Sequence, residues 1–521
     1  MKIITKTILI SLMILLLPSA LKAQLETISA DELKGHIHFL ASDFMNGRVG
    51  PSEEYEIAAQ YVASQFAAAG LKPAIEINDS TKSFFQGVPF VKTKYNDKLN
   101  WNIKIDGELL SFEHREDFKI MYGSKLNHDH TGIAWAGYGI EETDHGWNDF
   151  ENMDVAGKVI VCISGAPVKN GTPVLPEDVH NKYTGPNGFR AKFGNLFSKG
   201  AEALVMVDIN GSSGVPFEMM PSEFRTEKYV YKDMRNRRRS SRIPSIYFVK
   251  PSFLQAIMKG NPNSPFLYSD NLLKNYKPQI LEGVYLDSKV EILNEDIIYT
   301  NNVVGLVEGT DPELKNEYIT VGAHLDHVKK LNGQVCNGAD DNASGSAGVI
   351  EIAEALALKP CKRSVVFITY TAEEMGLCGS RYFVGSGEYP IENIRFNLNM
   401  DMIGRSDNKN KESRAHYVVT NKKYLAELET FINELNNGIT DFPLIFDDDE
   451  HSPGGSDHQS FISQEIPAFF FFSGVHEDLH KPGDDPEKID YAKAEDICKL
   501  GYTITEKLAN MDEVPNFLKE D

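Results

Sequence analysis

Two periods of apolar and polar positions succeed one another along this chain, and the changes between them divide it. From Ser29 to Pro73 the apolar residues Leu33, Ile37 and Leu40, then Tyr55, Ala58, Ala59, Val62 and Phe66, recur at three and four, which predicts helices stopping near Gly70. Between about Asp129 and Ile292 short β-like runs (Ile133 to Tyr138, Lys158 to Ile163, Ala203 to Val207, Ile243 to Val249) are broken by Gly, Pro and Asn. After Asn301 the alternation is regular. Strand-like Tyr318 to Ala323 precedes a helix from about Ser344 to Leu358, strands at Val365 to Tyr370 and Phe396 to Met400, a helix from about Lys422 to Leu435, a strand at Ala468 to Phe472 and a helix from about Tyr491 to Leu508. Strands apolar at nearly every position must be covered on both faces. The pattern therefore predicts an α/β fold, a mostly parallel doubly wound sheet flanked by helices, interrupted by an inserted β-rich domain. The expected boundaries are a leader at 1–23, the first part of the α/β domain at 24–130, the insert at 131–292 and the remainder at 293–521.

Composition narrows the classes of function. A net charge of −22 over 521 residues, with a pI near 5.1, excludes sequence-independent nucleic-acid binding, which relies on Lys and Arg neutralising phosphates. Lys2 and Lys6, the apolar run Ile8 to Leu17 and the small residues Ser19, Ala20 and Ala23 form a secretory signal peptide pattern cleaved before Gln24. The expectation is a secreted or periplasmic protein with no membrane anchor in the mature chain. The five cysteines (Cys162, Cys336, Cys361, Cys378, Cys498) lack metal-type spacing and read as buried small groups, with room for one bridge. His36 and His38 read as solvated or capping histidines, and the basic run Arg235, Arg237, Arg238, Arg239 and Arg242 as a loop.

Candidate chemistry collects where the predicted strands end. His324 follows Val321-Gly322-Ala323, Glu373 and Glu374 follow the run Phe367 to Ala372, Asp401 follows Asn397 to Met400, and His480 lies beyond Phe472. Asp341 sits in the turn Gly338 to Gly345 that leads into a helix. In open α/β sheets the carboxyl ends of the strands face one crevice, so these segments deliver imidazoles and carboxylates to one edge. Nitrogen and oxygen donors without thiolate suit catalytic zinc with an open position. Two Zn²⁺ balance Asp341, Glu374, Asp401 and one hydroxide, whereas a single ion is over-compensated; two zinc ions per chain are expected, with Asp341 between them. Glu373 then has no metal role left and is placed as the general base. Asp326, two residues past His324, is positioned to orient that imidazole through its second nitrogen.

These segments resemble the co-catalytic zinc exopeptidases, a family that includes bacterial secreted leucyl-type aminopeptidases, glutamate carboxypeptidase II and, more distantly, glutaminyl cyclases. The stretches that carry the resemblance are Gly322-Ala323-His324-Leu325-Asp326-His327, Gly338 to Gly345, Thr371-Ala372-Glu373-Glu374-Met375-Gly376-Leu377, Asn399-Met400-Asp401-Met402-Ile403-Gly404, Gly455-Ser456-Asp457-His458 and His476-Glu477-Asp478-Leu479-His480. Within the insert, Leu196 to Ala203 and Arg242 to Ile246 resemble a protease-associated domain. The resemblance implies a zinc exopeptidase fold, one zinc held by His324 and Asp401, another by Glu374 and His480, Asp341 bridging through a cis peptide to Asn342, and Glu373 carrying the proton. His476 competes with His480 for the last position, and the loop ending in His480-Lys481-Pro482 favours His480. The activity implied is that of an aminopeptidase acting on peptide substrates. Alternatives are a glutamate carboxypeptidase-like or glutaminyl cyclase-like enzyme, or a receptor-like homologue without activity. The acidic run Asp447 to Glu450 reads as a solvated or calcium-binding loop.

Overall fold

The computed structural model describes residues 25–518 apart from residues 79, 106, 124, 170, 185–187, 210–215, 221, 223, 225, 234–243, 260–276, 332 and 449–454. The expected leader and the arginine run from Arg235 to Arg242 lie outside the described residues. The fold is mixed α/β. The chain divides into two compact units: one runs to Phe90 and resumes at Ile298, and the other is Val91–Ile297.

The first unit begins with two helices, α1 (Ala30–Leu40) and α2 (Glu53–Ala68). Each starts where a serine caps it: the Ser29 and Ser52 side chains accept from the backbone N–H of Glu32 and Tyr55, and acidic residues fill both first turns. The strands are β1 (Phe85–Tyr95), β2 (Ile292–Val307), β3 (Tyr318–His324), β4 (Ser364–Tyr370), β5 (Ile394–Met400), β6 (His416–Thr420), β7 (Leu444–Asp448) and β8 (Ala468–Phe472). The remaining helices used below are α3 (Gly345–Ala357), α4 (Cys378–Gly385), α5 (Lys422–Leu435), α6 (His458–Ile462) and α7 (Tyr491–Asn510). The sheet order is β1-β2-β4-β3-β5-β8-β6-β7. Its centre, β4-β3-β5-β8, is parallel throughout, whereas β2 and β6 join it antiparallel.

Burial explains the uniform apolarity of the central strands. In β4 every residue is buried. Val365 and Phe367 pack with Val321, Leu398 and the helices α1, α2, α3 and α7 on one face. Val366, Ile368 and Tyr370 pack with Phe383 of α4 and Phe461 of α6 on the other. A fully buried side chain of this size contributes roughly 1.5–3 kcal/mol, so the strand ends are held firmly.

The second unit has its own core. Its sheet runs Glu108–Glu113, Asn100–Ile105, Gln279–Ser288, His128–Trp135, Val159–Ile163, Ala203–Val207, Ser245–Val249, Phe118–Tyr122 in space. The four strands from His128–Trp135 to Ser245–Val249 are parallel, and Trp101 stacks on Phe118 with ring centroids 4.1 Å apart. The sequence reading starts the insert at 131, but contacts divide the chain at 90/91, because the strands at 100–105, 108–113 and 118–122 join the second sheet. The strand at 100–105 alternates more and less buried positions and that at 108–113 is mostly exposed, with Phe112 buried, so neither has the continuous apolar signal. All five cysteines are buried and unbridged. Among the described residues no helix is long and apolar enough to cross a membrane.

Candidate metal centre

Because β3, β4, β5 and β8 are parallel, their carboxyl ends share one edge. His324 is the last residue of β3. Its Nδ1–H donates to the Asp326 carbonyl at 3.0 Å, which turns Nε2 toward Asp401 Oδ1 at 3.2 Å and Asp341 Oδ1 at 3.4 Å. His324, Asp341 and Asp401 thus form one group of candidate donors, all buried. Asp341 is held in place by its neighbours: the Asp484 carboxylate accepts its N–H at 3.1 Å, and Asn342 donates to the Met400 carbonyl at 2.9 Å while accepting from Gly345 N–H at 2.9 Å. The Asp341–Asn342 peptide is cis.

A second group shares the other oxygen of Asp341. His480 Nε2 lies 3.1 Å from Asp341 Oδ2 and 3.2 Å from Glu374 Oε1. His327 Nδ1 lies 3.2 Å from the same Glu374 oxygen and 3.6 Å from Asp341 Oδ2. His476 points elsewhere, with Nε2 3.4 Å from Asp340 Oδ2. The structure therefore brings His324, Asp341, Glu374, Asp401 and His480 together, and adds His327, to which the sequence reading gave no role.

Asp326 acts differently from the expectation. Its carbonyl, rather than its carboxylate, orients His324; the nearer carboxylate oxygen stands 3.9 Å from Nδ1. The carboxylate instead accepts the backbone N–H of Glu373 at 2.9 Å and of Glu374 at 3.3 Å, fixing the turn that presents both side chains. A His-x-Asp spacing cannot tell carbonyl from carboxylate. Arg48 was also missed: fully buried, it donates to the carbonyls of Leu40, Leu325, Asn337 and Gly338 and ties together the two loops that carry Asp326, His327 and Asp341. The acidic run also resolves differently, since Asp447 and Asp448 end strand β7; Asp449 and Glu450 lie outside the described residues.

The electrostatics call for cations. Asp341, Glu373, Glu374 and Asp401 converge with Asp326 and Asp457 buried behind them, and burial lifts the carboxyls of Asp326 and Asp457 to about 7. Arg48 spends its N–H groups on carbonyls, not on these carboxylates. The carboxylates of Asp341 and Glu374 beside it raise the His480 imidazole to about 10. Burial opposes protonation of His324, yet Asp401, Glu373 and Asp341 raise it well above its ordinary value. Burial pushes the Glu373 carboxyl well above the carboxylate range, with Asp457, Asp401 and Glu374 adding to it and His324 opposing. Protons drawn this strongly by imidazoles are what a divalent cation displaces on binding. The nitrogen and oxygen donor set fits zinc held for catalysis.

The α/β domain thus gathers imidazole and carboxylate groups at the carboxyl edge of its parallel strands, in two sets that could each hold a metal ion. The model of peptidase family M28 matches residues 302–503, the span holding all these donors. The chain is 33% identical over 182 residues to a probable leucine aminopeptidase 2 of Trichophyton verrucosum and to leucine aminopeptidase 2 of Trichophyton rubrum, a match covering 34% of this chain and 34% of each relative. It thus spans about a third of their length. The fold resembles that of an aminopeptidase from Aneurinibacillus sp. strain AM-1 (TM-score 0.54, 20% identity, 95% of this chain and 98% of that one). It also resembles a zinc aminopeptidase from Bacillus subtilis (TM-score 0.51, 18% identity, with 95% and 98% covered).

Proposed function

We propose that the chain is an exported zinc-dependent aminopeptidase that holds two zinc ions and removes N-terminal residues from peptides. The Val91–Ile297 unit is then a protease-associated domain inserted in a doubly wound zinc exopeptidase fold. The observation that carries the reading is the sharing of Asp341: one oxygen faces His324, the other faces His480, and Glu373 stands beside the group without a donor role. His324, Asp341 and Asp401 would hold one ion, and Asp341, Glu374 and His480 the other. Zinc bound there would polarise the scissile carbonyl and acidify the attacking water.

The residues of the chain do the rest. Glu373 takes the water proton and hands it to the departing amine. Asp326 holds the Glu373 and Glu374 amides so that base and donor keep fixed places. The N-terminal residue is recognised by its free amine and not through a terminal carboxylate. Arg405, the cation that the motif segments bring, is already committed to Asp478 at 3.0 Å and Asp484 at 3.6 Å, which disfavours the carboxypeptidase-like alternative.

The test is an assay of the purified mature chain, with zinc counted, against aminoacyl chromogenic amides, N-terminal glutaminyl peptides and peptides with acidic C-termini. Turnover of the amides, lost on chelation and regained with zinc, is expected. Release of C-terminal residues or formation of pyroglutamate in their place would overturn the reading.

A further inference from the structure

His327 is fully buried, and among the described residues neither of its ring nitrogens makes a hydrogen bond; nor does Glu374 Oε1, which lies 3.2 Å from its Nδ1. Leaving a buried imidazole and a buried carboxylate oxygen unpaired at this separation costs free energy unless something stands between them. Donors about 2.1 Å from a tetrahedral zinc lie about 3.4 Å from one another. The spacings around Glu374 match: 3.2 Å to His327, 3.2 Å to His480, and 3.1 and 3.6 Å from Asp341 Oδ2 to the two imidazoles. The two rings are near-perpendicular, at 69°.

The ring is also locked. Gly338, at φ +58°, lies against its Cγ and Cδ2, and a Cβ there would come within 2.4 Å of Cγ. Arg48 binds the carbonyls of Leu325, Asn337 and Gly338 on either side. A histidine fixed this closely with Nδ1 toward two carboxylates is preorganised for a cation.

We propose that His327 Nδ1 is a protein donor to the ion on the Glu374 side. That ion then has four protein donors, His327, Asp341, Glu374 and His480, whereas the ion on the Asp401 side has three, His324, Asp341 and Asp401. The two sites are therefore unequal: the Glu374 side is closed and binds zinc more tightly, and the Asp401 side keeps the open position. The inference rests on the two-zinc reading above.

The test uses the full mature chain with ring-¹⁵N histidine, recorded metal-free and zinc-loaded by long-range proton–nitrogen correlation, with His327→Phe assigning the His327 ring. Zinc should move His327 Nδ1 to a metal-bound position with Nε2 protonated, alongside His324 and His480. In calorimetric zinc titration His327→Phe should weaken the tighter step beyond the roughly 10- to 100-fold that loss of a merely orienting neighbour produces. A His327 Nδ1 that stays protonated while His324 and His480 respond would overturn this inference alone. No response from any of the three, with no zinc bound, would sink the metal reading itself. Should His327→Phe fail to fold, His327 is assigned from a ring contact to Gly338 in the wild-type chain, and the same shift decides the question.

Discussion

Arg48→Lys gives the sharpest view of how the fold holds the centre. The guanidinium fork reaches three carbonyls of two loops, at 2.9 Å to Leu325, 2.7 Å to Asn337 and 3.0 Å to Gly338, and a fourth at Leu40, the end of α1. Burial lowers its pKa to about 10, against the pull of Asp341 and Asp326, so it remains charged at neutral pH. A lysine keeps the charge but has only three N–H donors on a shorter stem, so it must release at least one of these carbonyls. Each hydrogen bond to a charged group is worth roughly 1.5–3 kcal/mol, so the loop loses about 1.5 kcal/mol or more of local stability. At about 1.4 kcal/mol per tenfold, exchange of its protected amides should quicken about tenfold or more. The amides to follow are those of Ala339, Asp340 and Asp341, which donate to the Asp484 carbonyl or carboxylate. Hydrogen exchange with mass spectrometry on peptides covering 325–345 reads this directly, and the Val91–Ile297 unit serves as the internal control. Unchanged protection of the loop, or equal loosening of both units, would refute the reasoning.

Two further outcomes follow from the same geometry. Glu373→Gln should keep the zinc content and lower kcat by roughly 10²- to 10⁴-fold, measured with an aminoacyl amide; full activity would remove Glu373 as proton carrier. In the second unit, burial, with Arg115 and Lys119 adding to it, holds the His114 imidazole down to about 4. Its unfolded value of about 6.5 is higher, so the unfolded chain takes up the proton first and the stability of the unit falls as pH drops from about 6.5 to about 4. Replacing His114 with Gln, which keeps a partner for Ser222 Oγ now at 2.7 Å, should flatten that acid limb in proteolytic-susceptibility curves. A slope unchanged from wild type would assign the limb to other groups.

How far the sequence reveals the molecule depends on burial. Strands β3, β4, β5 and β8 and helices α3, α5 and α7 fall within two residues of where the apolar periods place them, because strands covered on both faces have almost no freedom to be polar. Edge strand β7 was invisible for the opposite reason: its residues are mostly half-exposed and its last two are Asp447 and Asp448. The candidate site was legible where donors sit at strand ends, as with His324 and Asp401. It was not legible where a charged side chain is buried by tertiary contacts, as with Arg48, or where a motif residue such as His327 gains meaning only from the carboxylates folded against it. His36 shows the same limit, since it bonds Tyr61 at 2.8 Å and faces Glu351 at 3.4 Å instead of being solvated.

The central claim is that one carboxylate serves two ions, and zinc counting by mass spectrometry in two variants tests it most directly. Asp401 stands in one donor group and Asp341 in both. With two zinc ions in the wild-type chain, Asp401→Asn should retain one, and Asp341→Asn should lose the ion on the Asp401 side and hold the other more weakly than Asp401→Asn does after dialysis. An Asp341→Asn chain that still carries two would contradict the account.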